Sequence, residues 1–433
     1  MYLQKQLDRH YIFDNLDTVE LAKEFGTPLY VISENLIKYK CSQIQNDFLN
    51  KYPNTKAAYA SKAFLTLAMC KIIEREGLGL DVVSGGELFT AISAHFPMEK
   101  VMFHGNNKSF EELELAINNN VGRIIVDNLY ELEILQNIAK EQNKKVKILF
   151  RINPGVPGKT HKYISTGQID SKFGICIEEE SLNFALKKTI DSPNLELMGF
   201  HFHIGSQLFD NKSYLAALNI VTGLMKNLKD KMGFITKELN IGGGFGISYS
   251  TREKTKPISF FIDPIMKSIE DNCSKLKLER PTIIIEPGRW IIGEAGITLY
   301  TIGSIKEIPN VRTYISVDGG LPDNPRPALY GAKYEAIVAN RPYANRELTA
   351  TIAGKCCESG DILIWDINIP YVKPGDVLAV LNTGAYNYSM ASNYNRLPKP
   401  AVVLISNGKP HVIVEREKYE DLISKDKIPN HLL

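Results

Sequence analysis

The sequence predicts a mixed architecture: a (β/α)8 TIM-like barrel of the α/β class, followed by an all-β domain in the form of a β-sandwich or β-barrel. Three observations predict it. Short apolar, β-branched runs alternate with amphipathic stretches of helical period, the pattern of parallel strands joined by crossover helices. Eight such runs fall within about 240 residues, the length and strand count of a closed eightfold barrel. After Trp290 the amphipathic stretches give way to short strands separated by Gly, Pro, Asn and Asp.

The eight runs are, in order, "KAAYA", "LGLDVV", "KVMFH", "GRIIVD", "VKILFRI", "LMGFHFHI", "KELNIGGG" and "TIIIEPG". Segments such as "FLTLAMCKIIEREG", "NLYELEILQNIAKEQN" and "YLAALNIVTGLMKNLKDKMG" separate them, each with one apolar face. A doubly wound open sheet is the alternative arrangement. The β-domain is read from "RTYISVD", "EAIVA", "ELTATIAG", "DILIWD", "DVLAVL", "AVVLI" and "HVIVE". The predicted barrel covers residues 26–292 and the β-domain residues 293–433.

With 433 residues, 44% of them hydrophobic, the chain can bury a core larger than one compact domain. Acids and bases are interspersed and the formal charge is +2, which gives no purchase for nucleic acid or an anionic membrane. The start, "MYLQKQLDRH", is polar, and no apolar stretch reaches the ~20 residues a spanning helix needs. Six scattered cysteines without C-x-x-C spacing fit reduced thiols, so a soluble cytoplasmic protein is expected.

In a (β/α)8 barrel the chemistry lies at the carboxyl ends of the strands. Here Lys62 follows the first run, Asp81 and His104 mark the second and third, and Asp127 ends the fourth. Arg151 and Asn153 end the fifth, His203 the sixth, Gly242, Gly243 and Gly244 the seventh, and Glu286 with Arg289 the eighth. A lysine at a strand end ordinarily carries its amine out to solvent. One lysine, one glycine-rich loop and one carboxylate at a basic mouth instead suit a phosphate-bearing cofactor held through an imine. "IGGGFG" lacks G-x-G-x-x-G spacing because position 247 is isoleucine, and it reads as either a tight turn or a backbone cradle for phosphate. "PGVPGKTH" has Asn153 where a Walker A loop begins with glycine, which excludes a nucleotide triphosphate site. His201 and His203 in "HFH" have a spacing seen in metal sites, but no further ligand set is evident, and no metal is expected.

The order of "YASKA", "LDVVSGGEL", "FHGNNKS", "RINPG", "HKYISTGQIDSKFGI", "FHIGSQ", "LNIGGGFG", "EPGR", "RPALY", "CESGD", "GAY" and "SNYNRLPKPA" resembles the pyridoxal-phosphate decarboxylases with an alanine-racemase-like (fold type III) barrel. "CESGD", "RPALY" and the "HKYISTG" run resemble the diaminopimelate decarboxylase branch. The resemblance implies pyridoxal 5'-phosphate as cofactor, carried by Lys62 as a Schiff base. It implies Glu286 against the pyridine nitrogen, His203 against the ring face, and Gly243, Gly244, Gly288, Ser206 and Tyr386 around the phosphate. Asp81 and Arg289 complete the implied cofactor site. Cys357 is implied as the general acid, a role compatible with a thiol's ordinary pKa. The family also implies a homodimer with shared active sites, the "CESGD" loop entering the other subunit, and residues 1–25 joining the β-domain.

The implied reaction is decarboxylation of meso-2,6-diaminopimelate to L-lysine and carbon dioxide, the last step of lysine biosynthesis. Such a substrate carries a second carboxylate and ammonium. Arg289, Arg326 and Tyr330, together with Tyr386, would take the carboxylate, and Glu358 and Ser359 the ammonium. The alternatives are a decarboxylase of the same fold for another basic amino acid or a carboxylated conjugate, a metal-dependent hydrolase using His201 and His203, and a non-catalytic cofactor carrier. The last would lack the β-domain and the "CESGD" loop.

Overall fold

The computed structural model describes residues 10–156, 170–177, 180–250 and 252–433. The chain forms two compact units. One comprises Lys38–Ile247 and Thr255–Ile291; the other comprises the described residues up to Ile37, Ser248–Lys254 and Ile292–Leu433.

The first unit is the barrel. Its eight strands are Thr55–Ala60, Gly79–Val82, Val101–Phe103, Arg123–Val126, Val146–Asn153, Leu195–His201, Glu238–Asn240 and Thr282–Ile285. Each pairs in parallel with the next, and the last closes on the first with Ile285 opposite Ala57. Ala58, Met102 and Ile284 pack together although their strands are not all neighbours, so they fill the barrel interior. Ile125, Leu149 and Met198 do the same from the fourth, fifth and sixth strands. At Gly199 the register shifts, and a Cβ there would lie 2.0 Å from the Glu238 carbonyl oxygen. Only glycine lets the sixth and seventh strands approach this closely.

Opposite the strands' carboxyl ends, the barrel floor is closed by ions. Glu238 of the seventh strand is buried and accepts from Lys56 of the first at 2.8 Å and from Arg123 Nε of the fourth at 2.7 Å. Burial pushes the Glu238 carboxyl up, but these two cations outweigh it and hold it below its ordinary value. At the other end, a side-chain oxygen starts each of the next four long helices. Thr66, Ser84, Ser109 and Asn128 accept from the backbone N–H of Met69, Glu87, Glu112 and Glu131. Ser109 and Glu112 form a full capping box. These caps stop each strand-to-helix loop within a few residues and hold its polar residues at the barrel mouth.

In the second unit a seven-strand path runs Ile362–Ile369, Leu348–Ala353, Arg312–Val317, Gly296–Ile308, Leu29–Ser33, Ala401–Ser406 and Lys409–Val414. The 13-residue strand Gly296–Ile308 is its spine, pairing with Leu29–Ser33 and Val377–Val380 early and with Arg312–Val317 late. Because side chains alternate across a strand, Leu299 and Ala379 enter one apolar core while Tyr300 and Leu378 enter another. At the amino end, Asp14 and Asn15 both have positive φ (45° and 66°) and turn the two-residue strands Ile12–Phe13 and Leu16–Asp17 into a hairpin.

The barrel boundary at residue 26 differs from the strand pairing. Leu29–Ser33 lies in the β-unit, parallel to Ala401–Ser406 and antiparallel to Gly296–Leu299. All five residues are buried, so the run "LYVIS" satisfies either a barrel or a sheet, and only its distant partners decide. No helix among the described residues is long and apolar enough to cross a membrane.

The β-unit contains a titratable acid in its interior. Burial pushes Asp323 up to about 7, even though Gly320 N–H donates to it at 2.9 Å and the Tyr300 hydroxyl also donates. The folded form therefore holds the proton more tightly than the unfolded chain. The stability this gives is complete below the ordinary carboxyl pKa and is lost as pH rises towards 7. Unfolding measured from pH 4 to pH 7 should show the Asp323→Asn protein gaining stability relative to wild type as pH increases.

Candidate active site

At the barrel mouth a continuous polar network joins residues on or directly after six strands. Lys62 sits on the short 3-10 turn Ser61–Ala63 directly after the first strand, its Nζ 3.4 Å from Asp81 Oδ2. Asp81 is fully buried in the second strand, and its Oδ1 lies 3.7 Å from His104 Nε2. His104 Nε2 is 2.8 Å from Glu286 Oε1, which also accepts from Asn240 Nδ2 at 2.6 Å. His201 Nε2 approaches the other oxygen, Oε2, to 3.3 Å.

Glu286 is the centre of this network. Burial alone would raise its pKa, but the histidines on both oxygens reverse the shift and hold it well below the usual carboxylate range. His201 goes the other way: burial pushes it down to about 3, so its ring is neutral. His203 is also lowered well below its ordinary value, first by burial and then by the Lys62 and Arg151 charges. The mouth therefore presents an ionised carboxylate and a neutral His203.

The glycine-rich loop fits tightly around this centre. Gly242 has φ +70°, and a Cβ there would lie 2.7 Å from His203 Nδ1. Gly244 has φ +106°, with the Gly205 carbonyl oxygen 2.1 Å from where its Cβ would be. Gly243 N–H is 3.3 Å from His203 Nδ1, and Glu286 N–H donates to the Gly242 carbonyl at 2.8 Å. Gly288 faces Ala60 and Ala63, which flank Lys62. Arg289, also buried, donates from Nη2 to Ser206 Oγ at 3.2 Å. Lys62, Asp81, His203, Ser206, Gly243, Gly244, Glu286, Gly288 and Arg289 thus all belong to the barrel unit.

Arg326, Tyr330, Cys357, Glu358, Ser359 and Tyr386 belong to the β-unit. Arg326 is buried on the helix Arg326–Tyr330, its guanidinium carbon 5.3 Å from the Tyr330 ring and 5.6 Å from the Tyr386 ring. Its Nε donates to the Tyr334 hydroxyl at 2.9 Å. Cys357, Glu358 and Ser359 are exposed on the turn between Leu348–Ala353 and Ile362–Ile369.

Other site features went unassigned in the sequence. The sequence marks His104 only as a strand-end residue, and the one signal it carries for Asn240 is a position two residues before the glycine loop. The histidine pair read as a metal candidate separates. Among the described residues, the grouping of metal-ligand type is His104, His201 and Glu286, with ligand atoms within 4.8 Å of one another. In it Glu286 already receives a hydrogen bond from Asn240 and a histidine on each oxygen. Of the "HKYISTGQIDSKFGI" stretch and the "PGVPGKTH" loop, residues 157–169 lie outside the described residues.

Beside the site, Lys108 Nζ donates to Glu131 Oε1 at 2.7 Å and to the carbonyls of Gly105 and Ile125 at 2.8 and 2.9 Å. Glu131 in turn accepts from Asp127 N–H at 3.0 Å, and Asp127 accepts from Gly174 N–H at 3.1 Å. Arg151 stacks 4.1 Å over the Phe173 ring.

Residues 36–293 match the family described as pyridoxal-dependent decarboxylase, pyridoxal binding domain. The chain is 48% identical to the diaminopimelate decarboxylase of Bacillus subtilis over 96% of this chain and 95% of that protein. It superposes with a TM-score of 0.92 on the diaminopimelate decarboxylase of M. jannaschii in complex with L-lysine, at 38% identity and 98% coverage of both chains. The Helicobacter pylori enzyme complexed with L-lysine gives 0.85 at 32% identity, covering 94% of this chain and 98% of that one. The chain belongs to the pyridoxal-dependent decarboxylases. The family's cofactor is pyridoxal phosphate, and the donor set fits it: an amine beside a buried aspartate, a carboxylate held ionised, and a loop so close-packed that only glycine fits.

Lys108→Ala would leave Glu131 buried without its cation, at a cost of about 3–5 kcal/mol. Urea unfolding should show a loss of that size, and a change below 1 kcal/mol would mean that the pair does not hold the mouth together.

Proposed function

We propose that this protein removes the carboxylate from one centre of meso-2,6-diaminopimelate, giving L-lysine and carbon dioxide. The observation that carries the substrate choice is Arg326. It is a buried guanidinium among tyrosines, and among the described residues no carboxylate pairs with it. Such a cation suits an anionic group on the substrate, here the distal carboxylate, with Arg289, Tyr330 and Tyr386 as further partners. Glu358 and Ser359 take the distal ammonium. The named relatives and the lysine complexes of the solved neighbours support the same reading.

Bound pyridoxal phosphate supplies the electron sink for the pair left on the substrate's α-carbon when carbon dioxide departs. Lys62 would hold the cofactor covalently, with Asp81 beside its Nζ. Glu286, kept ionised, holds a proton on the ring nitrogen and so strengthens the sink. His203, neutral and close against the glycine loop, offers an uncharged surface to the ring. Gly243, Gly244, Gly288, Ser206, Arg289 and Tyr386 bind the phosphate end. Cys357 Sγ delivers a proton to the α-carbon. We assign cofactor binding to the barrel residues together with Tyr386, and the proton donor Cys357 and the central carboxylate partner Arg326 to the β-domain. All six cysteines are free, which supports a reducing, cytoplasmic setting.

Purified protein incubated with pyridoxal phosphate and meso-diaminopimelate should release equimolar lysine and carbon dioxide. Lys62→Ala should lose both turnover and the visible absorbance of lysine-bound cofactor. Turnover of ornithine or lysine in preference to diaminopimelate would reject the substrate assignment.

We further propose a homodimer in which the exposed Cys357–Ser359 turn of one chain completes the barrel site of the other. Lys62→Ala and Cys357→Ala, each severely impaired alone, should regain activity when mixed under subunit exchange. Recovery should approach about a quarter of wild type, since about half the dimers are hybrids and each has one intact site of two. Absence of recovery despite demonstrated exchange would place each site within a single chain.

A further inference from the structure

The turn carrying Cys357 is held by one buried side chain that the reaction itself does not use. Asp361 is 3% exposed and accepts two backbone hydrogen bonds from different segments. Its Oδ2 takes the N–H of Cys356 at 2.8 Å, and its Oδ1 takes the N–H of Leu321 at 2.7 Å. The first segment is the Cys357 turn. The second leads through Asp323 into the helix Arg326–Tyr330. A second link between the same segments runs from Lys355 N–H to the Gly319 carbonyl at 2.9 Å.

The backbone is shaped around this carboxylate. A Cβ on Gly354 would lie 2.2 Å from Asp361 Oδ2, and one on Gly320 would lie 2.5 Å from both its oxygens. Gly320 also has φ +152°, which side-chain-bearing residues rarely adopt. Glycine on both sides lets two backbone segments close on one carboxylate.

The arrangement also separates the adjacent cysteines. Cys356 is partly buried, and burial together with the Asp361 charge and hydrogen bond pushes its thiol up to about 12. Cys356 is thereby kept as an unreactive thiol. Cys357 is exposed, its N–H held by Asn395 Oδ1 at 2.8 Å.

We propose that Asp361 is a positioning residue for the decarboxylation. A single buried carboxylate locks the turn that presents Cys357 to the segment that presents Arg326, so that one clamp holds both of the β-domain's contributions to the dimer's sites in place. This rests on the proposed roles of Cys357 and Arg326, so the test separates the lock from those roles.

The lock itself is read by alkylation of the holoenzyme with N-ethylmaleimide and peptide mapping, without reference to turnover. In wild type, Cys356 should be modified at least tenfold more slowly than in the urea-unfolded enzyme; equal rates would overturn the lock whatever Cys357 does in catalysis. Asp361→Asn keeps the size but turns one acceptor into a donor facing an N–H. It should raise Cys356 modification at least tenfold and lower kcat per folded, cofactor-loaded enzyme at least tenfold. KM for diaminopimelate should rise as well, because the Arg326 segment is released. Gly354→Ala, which displaces the lock and leaves the carboxylate in place, should give the same pattern. A merely structural role would reduce the yield of folded enzyme without changing kcat or the alkylation ratio, and that result would overturn the proposal. In the Cys357→Ala background, Asp361→Asn should lower kcat by less than a further twofold. A full additional tenfold loss would show that Asp361 does not act through Cys357. Full activity of Cys357→Ala alone would remove the donor role, and the wild-type alkylation ratio would still decide the lock.

Discussion

The barrel mouth depends on one buried carboxylate kept charged. Moving an ion out of water costs several kcal/mol, and Glu286 meets that cost only because His104, Asn240 and His201 converge on its two oxygens. Those three come from the third, seventh and sixth strands, so the carboxylate ties together strands far apart in sequence. The same constraint fixes the glycine loop: Glu286 N–H bonds the Gly242 carbonyl, and a Cβ on Gly243 would lie 2.0 Å from the Glu286 carbonyl. Adding a side chain to the loop, or removing a donor from the carboxylate, disturbs one packed arrangement.

The two ends of the barrel solve the same electrostatic problem differently. On the floor, Glu238 is saturated by two cations, Lys56 and Arg123, and has no chemistry left to do. At the mouth, Glu286 meets two histidines and the Asn240 amide in place of a lysine or arginine. Conserving a charge for a ligand requires polar donors where a purely structural pair would use a cation. This division follows the general rule for such barrels, with stability at the amino ends of the strands and chemistry at the carboxyl ends.

Features set by neighbours along the chain were readable from sequence. The barrel strands, the polar residues at their ends and the Lys62 and Glu286 positions depend on hydrophobic period and local order. Features set by distant partners were not. "LYVIS" at residues 29–33 has no local mark that sends it to the β-unit, because its partners lie some 270 and 370 residues further on, at Gly296–Leu299 and Ala401–Ile405. His104 and Asn240 are ordinary strand-end residues until the barrel closes and brings Glu286 against them. Asp361 read as part of a motif, yet its function as a clamp exists only once Leu321 and Cys356 converge on it.

On the proposed assignment, Arg326 would also keep the product from being consumed in its turn. Loss of carbon dioxide from one centre of diaminopimelate leaves the distal carboxylate and ammonium in place, so L-lysine keeps its contact with Arg326. For lysine to be decarboxylated, its remaining carboxylate would have to sit at the reacting centre, and Arg326 would face only a terminal ammonium. Leaving a buried guanidinium unpaired costs about 3–5 kcal/mol, and like charges in the pocket add to that cost. A barrier difference of that size slows the second reaction by roughly 10²- to 10⁴-fold. The discrimination comes from an unsatisfied cation more than from any contact unique to the substrate, which is how a site built around a polar group rejects an analogue that lacks it.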